Sequence, residues 1–522
     1  MSNPRTENPS SNWVYSIRSC ISKKKPKTAI SIYTQSRGKG GNLTSAIPLI
    51  LKACASLSLL IYGQMLHSEI LKTGVERDVM VGTSLVDMYG KCRDIASAHK
   101  VFDQISEKNA VTWNAMIGGY MRNGHTHKAL VLFEKMTRRT SVTWIELIDG
   151  YARNRNTAMA RQVFDEVPGE LKTVVTWTVM VDGYVRNGDM EAAREVFERM
   201  TETNFYVWSV MITGYFKKGD AGNAREIFDR MGVRNLVNWN SLISGYAQNG
   251  MPEEALESFT RMQDAGFKPD EVTVASCLSA CAQSGMLEFG KKIHDMILKN
   301  SIGMNVFVSN GLVDMYAKCG DLANARLIFE GISTKNSATW NSLIAGLAIH
   351  GQTREAIEIF RRMEESGEKP DDITFLSVLS ACAHGGFVED GLEVFSKMKK
   401  YGLTANVKHY GCLVDLLGRA GKLQDAYSLV RGMPMVPNDT ILGALLVACR
   451  IHSDTVMADN VLELVRKVSF NCGIHDDAHY VQLSNIYAAS EKWEMAEGMR
   501  HIFSTRGSKK TPGCSALMVR GN

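Results

Sequence analysis

Between residues 236 and 270 the apolar positions fall at helical intervals, stop, and resume. Trp239, Leu242, Ile243 and Tyr246 occupy i, i+3, i+4 and i+7, one face of a first helix. Asn249-Gly250 ends it, because glycine enters the left-handed region at little cost. Pro252 opens a second helix, where a missing N–H is harmless, and Ala255, Phe259 and Met262 line its buried face. Gly266 and Pro269 stop that helix. The segment predicts an amphipathic helix pair.

The same spelling returns along the chain. WNSLI stands at Trp239–Ile243 and again at Trp340–Ile344, 101 residues later. LSACAQSG (Leu278–Gly285) returns as LSACAHGG (Leu379–Gly386) at the same interval, and LVDMYGKC (Leu85–Cys92) returns as LVDMYAKC (Leu312–Cys319). Alignment gives consecutive units 44–78, 79–109, 110–140, 141–173, 174–204, 205–235, 236–270, 271–305, 306–336, 337–371, 372–406 and 407–438. Most are 31 or 35 residues long, and the twelve units cover 395 residues without a gap. One helix pair cannot bury both of its faces, so neighbours must stack, and the expected fold is all-α, an α-solenoid.

Composition changes this picture in two places. The 522 residues are too many for one ordinary core, which suits a repeat array. No apolar run reaches 18 residues, so no membrane partner is expected. The net charge of +5 is uneven: residues 1–40 hold eight Lys or Arg against Glu7, and the other 482 residues therefore sum to −2. A nearly neutral body argues against a binder built on one basic patch. Residues 1–43 are basic, Ser-rich and poor in acids, as in an organelle transit peptide. Trp13 and AISIYTQSR (Ala29–Arg37) look like a degenerate first repeat, and both readings stand.

VTWNAMIGGYMRNG (Val111–Gly124) and GFKPD (Gly266–Asp270), in a period that alternates, resemble pentatricopeptide repeats. Specifically, they resemble the plant class that mixes ordinary, long and short units. A tetratricopeptide array would keep a fixed 34-residue period and a W-x₂-L-G-x₂-Y pattern. The resemblance spans roughly 44–515 and implies a right-handed solenoid superhelix that binds single-stranded RNA, one base per repeat. The reading residues it implies are the fifth and the last of each unit, with the second residue flanking the base. Val111, Val175, Tyr206 and Val237 suit that stacking role.

By resemblance, Thr83/Asn109, Thr178/Asn204 and Ser209/Asn235 imply adenine. Asn240/Asp270 and Asn341/Asp371 imply uracil. Asn310/Asn336 implies a pyrimidine, cytosine first, and Asn114/Thr140 leans the same way. Ile145 and the fifth residues of the long units, Pro48, Ala275 and Leu376, are silent. The RNA expected from 79 to 371, 5′ to 3′, is A, weak pyrimidine, any, A, A, U, any, pyrimidine, U. Asn or Ser at a helix start often simply caps it. Polar fifth residues nevertheless sort into the ordinary and short units, which capping alone does not explain.

After residue 438, GALLVACRIH (Gly443–His452), HYVQLSNIYAASEKWEMAEGMR (His479–Arg500) and KKTPGCS (Lys509–Ser515) resemble the E domain of plant organellar editing factors, over 439–515, followed by a 516–522 tail. Two positions depart from that pattern: Leu442 and Ala516 stand where the family usually has Trp. The resemblance implies an organellar factor, mitochondrial first and chloroplastic as the alternative. It would recruit a separate cytidine deaminase of the DYW type, with editing cofactors, for C-to-U editing. RNA splicing or stabilisation is a second reading, and a protein-binding scaffold a third.

No catalytic set is expected, nor any cofactor. A zinc deaminase needs H-x-E and P-C-x-x-C. His67-Ser68-Glu69 matches the first half, but His67 shares a repeat slot with His294, and no CxxC exists. Cys281 shares a slot with Cys54, Cys382 and Cys449, and Cys92 with Cys319, which reads as packing in a reducing compartment.

Overall fold

Thirty α-helices and no strand make up the described residues (9–23, 25–38, 44–75, 78–472 and 478–505) of the computed structural model. The chain divides into two compact bodies, 1–249 and 250–522. In each, long leading helices alternate with trailing ones. The first body carries leading helices Val79–Lys91, Ala110–Arg122, Ser141–Arg153, Val174–Arg186, Phe205–Lys217 and Leu236–Gln248. The second carries Glu271–Ser284, Val306–Lys318, Ser337–Ile349, Asp372–Gly385, Val407–Arg419 and Asp439–Ile451. Successive leading helices within a body pack on each other, and a trailing helix packs between its own leading helix and the next where all three lie in one body.

Each leading helix starts because a polar side chain caps it. Asp78, Asn109, Thr140, Thr173, Asn204 and Asn235 do so in the first body. Asp270, Asn305, Asn336, Asp371, Asn406 and Asn438 do so in the second. Every one accepts the backbone N–H of the third helical residue, satisfying one of four otherwise orphaned donors at about 1 kcal/mol per cap.

Aromatic brackets join one pair to the next. Where the fourth residue of a leading helix is Trp, it meets a Phe on the preceding trailing helix edge to face. Phe133–Trp144, Phe197–Trp208, Phe228–Trp239 and Phe329–Trp340 have centroids 4.8, 4.8, 4.7 and 4.9 Å apart. Such a pair contributes about 0.5–1.5 kcal/mol beyond its buried area. Helix ends are tied as well. Asn123, Asn154 and Asn187 each donate from Nδ2 to a carbonyl ending the previous leading helix (Gly90, Met121 and Ala152), all at 2.9 Å.

The WNSLI strings lie where the helical pattern requires. Trp239, Leu242, Ile243 and Tyr246 are buried, as are Ala255, Phe259 and Met262 on Pro252–Asp264. Gly250 takes φ 69° after the helix end. Close stacking needs one small residue per leading helix: a Cβ on Gly346 would sit 2.3 Å from Ala317 Cβ.

The first body begins with Pro9–Ser22 and Pro26–Gly38, which pack on each other and bury Ile17, Ala29 and Tyr33, so AISIYTQSR is helical. The second ends with Thr455–Cys472, Ala478–Ala489 and Trp493–Thr505. Leu442 is the fourth residue after Asn438, in the slot of Trp340, and is buried. Lys509–Ser515 and Ala516 lie outside the described residues. No described helix is long and apolar enough to cross a membrane.

Candidate nucleic-acid interface

Fifth residues sit one turn inside each leading helix, beside the bracket Trp but facing another way. Asn114, Thr178, Ser209, Asn240 and Asn341 are nearly buried, while Thr83 and Asn310 are half-buried. The last residue of each unit is the cap of the next leading helix, one strand of chain away. Capping therefore falls on the last residue rather than the fifth. It falls there equally in the long units, through Asp78, Asn305 and Asn406.

The two positions come together in several units. Asn341 Nδ2 donates to Asp371 Oδ1 at 2.9 Å, and Asn310 Nδ2 to Asn336 Oδ1 at 3.2 Å. Asn204 Nδ2 donates to Thr178 Oγ1 at 3.2 Å. Thr83 and Asn109 meet through the Thr112 hydroxyl, 2.7 Å from Thr83 Oγ1 and 3.1 Å from Asn109 Oδ1. Ser209 and Asn235 meet through Asn238, whose Nδ2 donates to Ser209 Oγ at 2.9 Å. Asn114 and Thr140 are not joined: Thr140 turns to Thr143, and Asn114 Oδ1 is buried without a partner. Asn240 lies in the first body and Asp270 in the second.

Asp371 combines opposing influences. Burial pushes its carboxyl up, but hydrogen bonds from the Thr374 backbone and the Asn341 amide hold it below the ordinary value. It is therefore ionised at neutral pH and can only accept.

Beside the fifth residue, the second residue of most leading helices is apolar and exposed, Lys408 and Thr440 being the polar exceptions. This holds for Val111, Val175, Tyr206 and Val237, and also for Met80, Val142, Val272, Phe307 and Ile373. These last five carry the same signal, and the period alone would have found them. Apolar side chains held in water at a fixed repeat slot are platforms on which a flat ring can stack. Farther along the same face, basic residues are tied to acids one turn back: Lys91 to Asp87 at 2.7 Å, Arg153 to Asp149 at 2.6 Å, Lys318 to Asp314 at 2.8 Å and Arg419 to Asp415 at 2.9 Å.

The histidine and cysteine slots serve packing. His67 Nδ1 lies 2.9 Å from the Tyr89 hydroxyl and His294 Nδ1 3.0 Å from that of Tyr316, the same contact seven units apart. Burial pushes the Cys54 thiol up to about 11, and those of Cys281, Cys382 and Cys449 to about 12, which keeps them protonated. Thiols in that state are poor nucleophiles and poor ligands.

Comparison with known proteins places the repeats. Models of the PPR repeat match residues 83–109, 142–170, 175–205, 206–236, 373–403 and 408–435, and a PPR repeat family model matches 108–140, 234–283 and 335–384. An E motif model matches 471–518. The chain is 50% identical over 505 residues to the Arabidopsis thaliana pentatricopeptide repeat-containing protein At3g21470, covering 96% of this chain and 97% of that one. It is 35% identical over 527 residues to At2g22410, mitochondrial, from the same plant, covering 99% and 77%. Among solved structures, the pentatricopeptide repeat protein PPR10 from maize superposes with TM-score 0.62 at 17% identity, over 98% of this chain and 81% of that one. PPR10 in complex with an 18-nt psaJ RNA element superposes with TM-score 0.54 at 17% identity, over 96% and 85%. The chain belongs to the pentatricopeptide repeat family, in the plant class that mixes ordinary, long and short units and in its E subgroup.

Proposed function

We propose that this chain is a sequence-specific single-stranded RNA-binding protein of an organelle, reading one base per unit, and that it selects sites for C-to-U editing. The observation that carries the reading is the hydrogen-bonded fifth and last residues, as in Asn341–Asp371 and Asn310–Asn336, beside an exposed apolar second residue. A base needs a polar edge contact for identity and a face to stack on, and one leading helix supplies both. The RNA complex of the PPR10 neighbour supports the same polymer as ligand.

In this reading the repeats choose the transcript and the E motif recruits a cytidine deaminase in trans, with the edited C just 3′ of the bound stretch. The chain itself then performs no chemistry. The basic leader suits an organelle, taken as the mitochondrion first with the chloroplast as the alternative, and relatives named as mitochondrial and as chloroplastic both occur. A splicing or stabilisation role is favoured by one observation, Leu442 where the E-domain resemblance gives Trp, because it alters the segment that leads into the E motif.

The test is direct. RNA carrying the expected order A, pyrimidine, any, A, A, U, any, pyrimidine, U should bind more tightly than a scrambled control of the same composition. Each well-read base contributes roughly 1–3 kcal/mol of discrimination. Equal binding to both removes the base-reading assignment. An editing role further requires that editing of a C downstream of the bound stretch be lost without the chain and restored by it.

A further inference from the structure

In two reading pairs a further group comes from the unit that follows. Asn341 Nδ2 faces Asp371 Oδ1 at 2.9 Å, and a carboxylate only accepts, so the atom facing it must be the amide nitrogen. Oδ1 then lies on the other side, where the Thr374 hydroxyl donates to it at 2.6 Å. Asn310 is held the same way. The Thr339 backbone N–H, 3.0 Å away, pins Asn336 Oδ1 as an acceptor, so Asn310 turns Nδ2 towards it and takes the Thr339 hydroxyl on its own Oδ1 at 2.6 Å. In both amides the oxygen is occupied and one N–H is left over. What remains for a base is a donor.

Both threonines also close capping boxes, accepting the backbone N–H of Asn336 at 3.3 Å and of Asp371 at 3.1 Å, but capping does not require a threonine there. Asp78, Asn305 and Asn406 cap their helices with Val81, Val308 and His409 at the third position. Those helices follow the units whose fifth residues are Pro48, Ala275 and Leu376. Every Asn at a fifth position, by contrast, is followed by Thr: Asn114 by Thr143, Asn240 by Thr273, Asn310 by Thr339 and Asn341 by Thr374. Thr178 is followed by Val207, and its hydroxyl is already engaged, donating to the Val174 carbonyl at 2.7 Å and accepting from Asn204. The silent Ile145 is followed by Thr176, whose hydroxyl turns to Thr173 and the Leu171 carbonyl.

We infer that the third residue of the following unit is a positioning residue for base reading. At Asn310 and Asn341 its hydroxyl engages the amide oxygen, so that an N–H is presented to the RNA, favouring a base edge with a carbonyl over one with an amino group; at Asn114 the equivalent Thr143 turns to Thr140 instead. The inference rests on the base-reading function proposed above and names a specificity determinant beyond the fifth and last residues.

Full-length Thr374→Val, Thr374→Ser, Thr339→Val and Asn341→Ala chains are titrated with synthetic RNAs of the expected order, varying the base opposite 337–371 or 306–336. Thr374→Val should lower the preference for U over A opposite 337–371 by roughly two- to tenfold, the worth of one neutral hydrogen bond. It should leave the other bases unaffected. Thr374→Ser should keep the preference, and Thr339→Val should act only opposite 306–336. Loss of preference in Asn341→Ala with full retention in Thr374→Val overturns the inference, as does uniform weakening at every base. If Asn341→Ala changes no base preference, base reading itself fails, and the inference falls with it.

Discussion

At the scale of single residues, WNSLI divides its labour between neighbours. Trp340 meets Phe329 on the preceding trailing helix, while Asn341, one residue on, turns to Asp371 and Thr374. Asp371 serves twice, as helix cap and as partner of Asn341. Asp371→Ala should therefore cost about 1 kcal/mol at neutral pH. Because the native carboxyl titrates below its unfolded value, that stabilisation is present above the unfolded pKa of about 3.9 and is lost as pH falls through the lower native one. Thermal melts of variant and parent should differ by a constant amount from pH 5 to 8 and converge below about pH 4. Asn114 offers the contrasting case. Its Oδ1 is buried without a partner, so the base opposite 110–140 should be the least discriminated of those read by Asn, as measured by competition with single-base variants.

At the scale of helices, unit length follows the trailing helix. In 31-residue units it is short, as in Met190–Glu198 and Ala221–Asp229, while Pro252–Asp264 and Thr353–Glu365 in 35-residue units run 13 residues. Four residues are close to one helical turn, so the inserted length returns the buried face to the same side. The sequence could disclose this much because Asn-Gly stops and polar caps mark both ends of each leading helix. It could not disclose the third-residue contacts, because a Thr at that position also reads as half of a capping box. Nor could it place Leu442, whose slot becomes intelligible beside Val430. That residue is buried and is the eighth of its trailing helix, as Phe329 is of its own, so both slots of the bracket hold aliphatic residues here. The stacking distance is the exacting feature. Gly346→Ala should force its helix away from Ala317 and cost about 1–3 kcal/mol. Gly331→Ala, with open space around the new methyl, should be neutral or stabilising. Circular dichroism melts of the two variants check the contrast.

At the scale of the molecule, charge limits the kind of binding on offer. Outside residues 1–40 the chain sums to −2, and several leading-helix cations already hold carboxylates. Affinity should therefore lean on base edges and stacking, with a slope of log K against log salt shallower than about −3, equivalent to roughly four released counterions on a single strand. A steep slope would point to backbone binding with little reading. The central claim, that a fifth residue and its last partner choose a base, is tested most directly by Asn240→Thr. Affinities of parent and variant are measured against four RNAs differing only at the U opposite 236–270. The account predicts that preference moves from U towards G at that one base, with every other position unchanged. Unaltered preference, or a change spread over all positions, would contradict it.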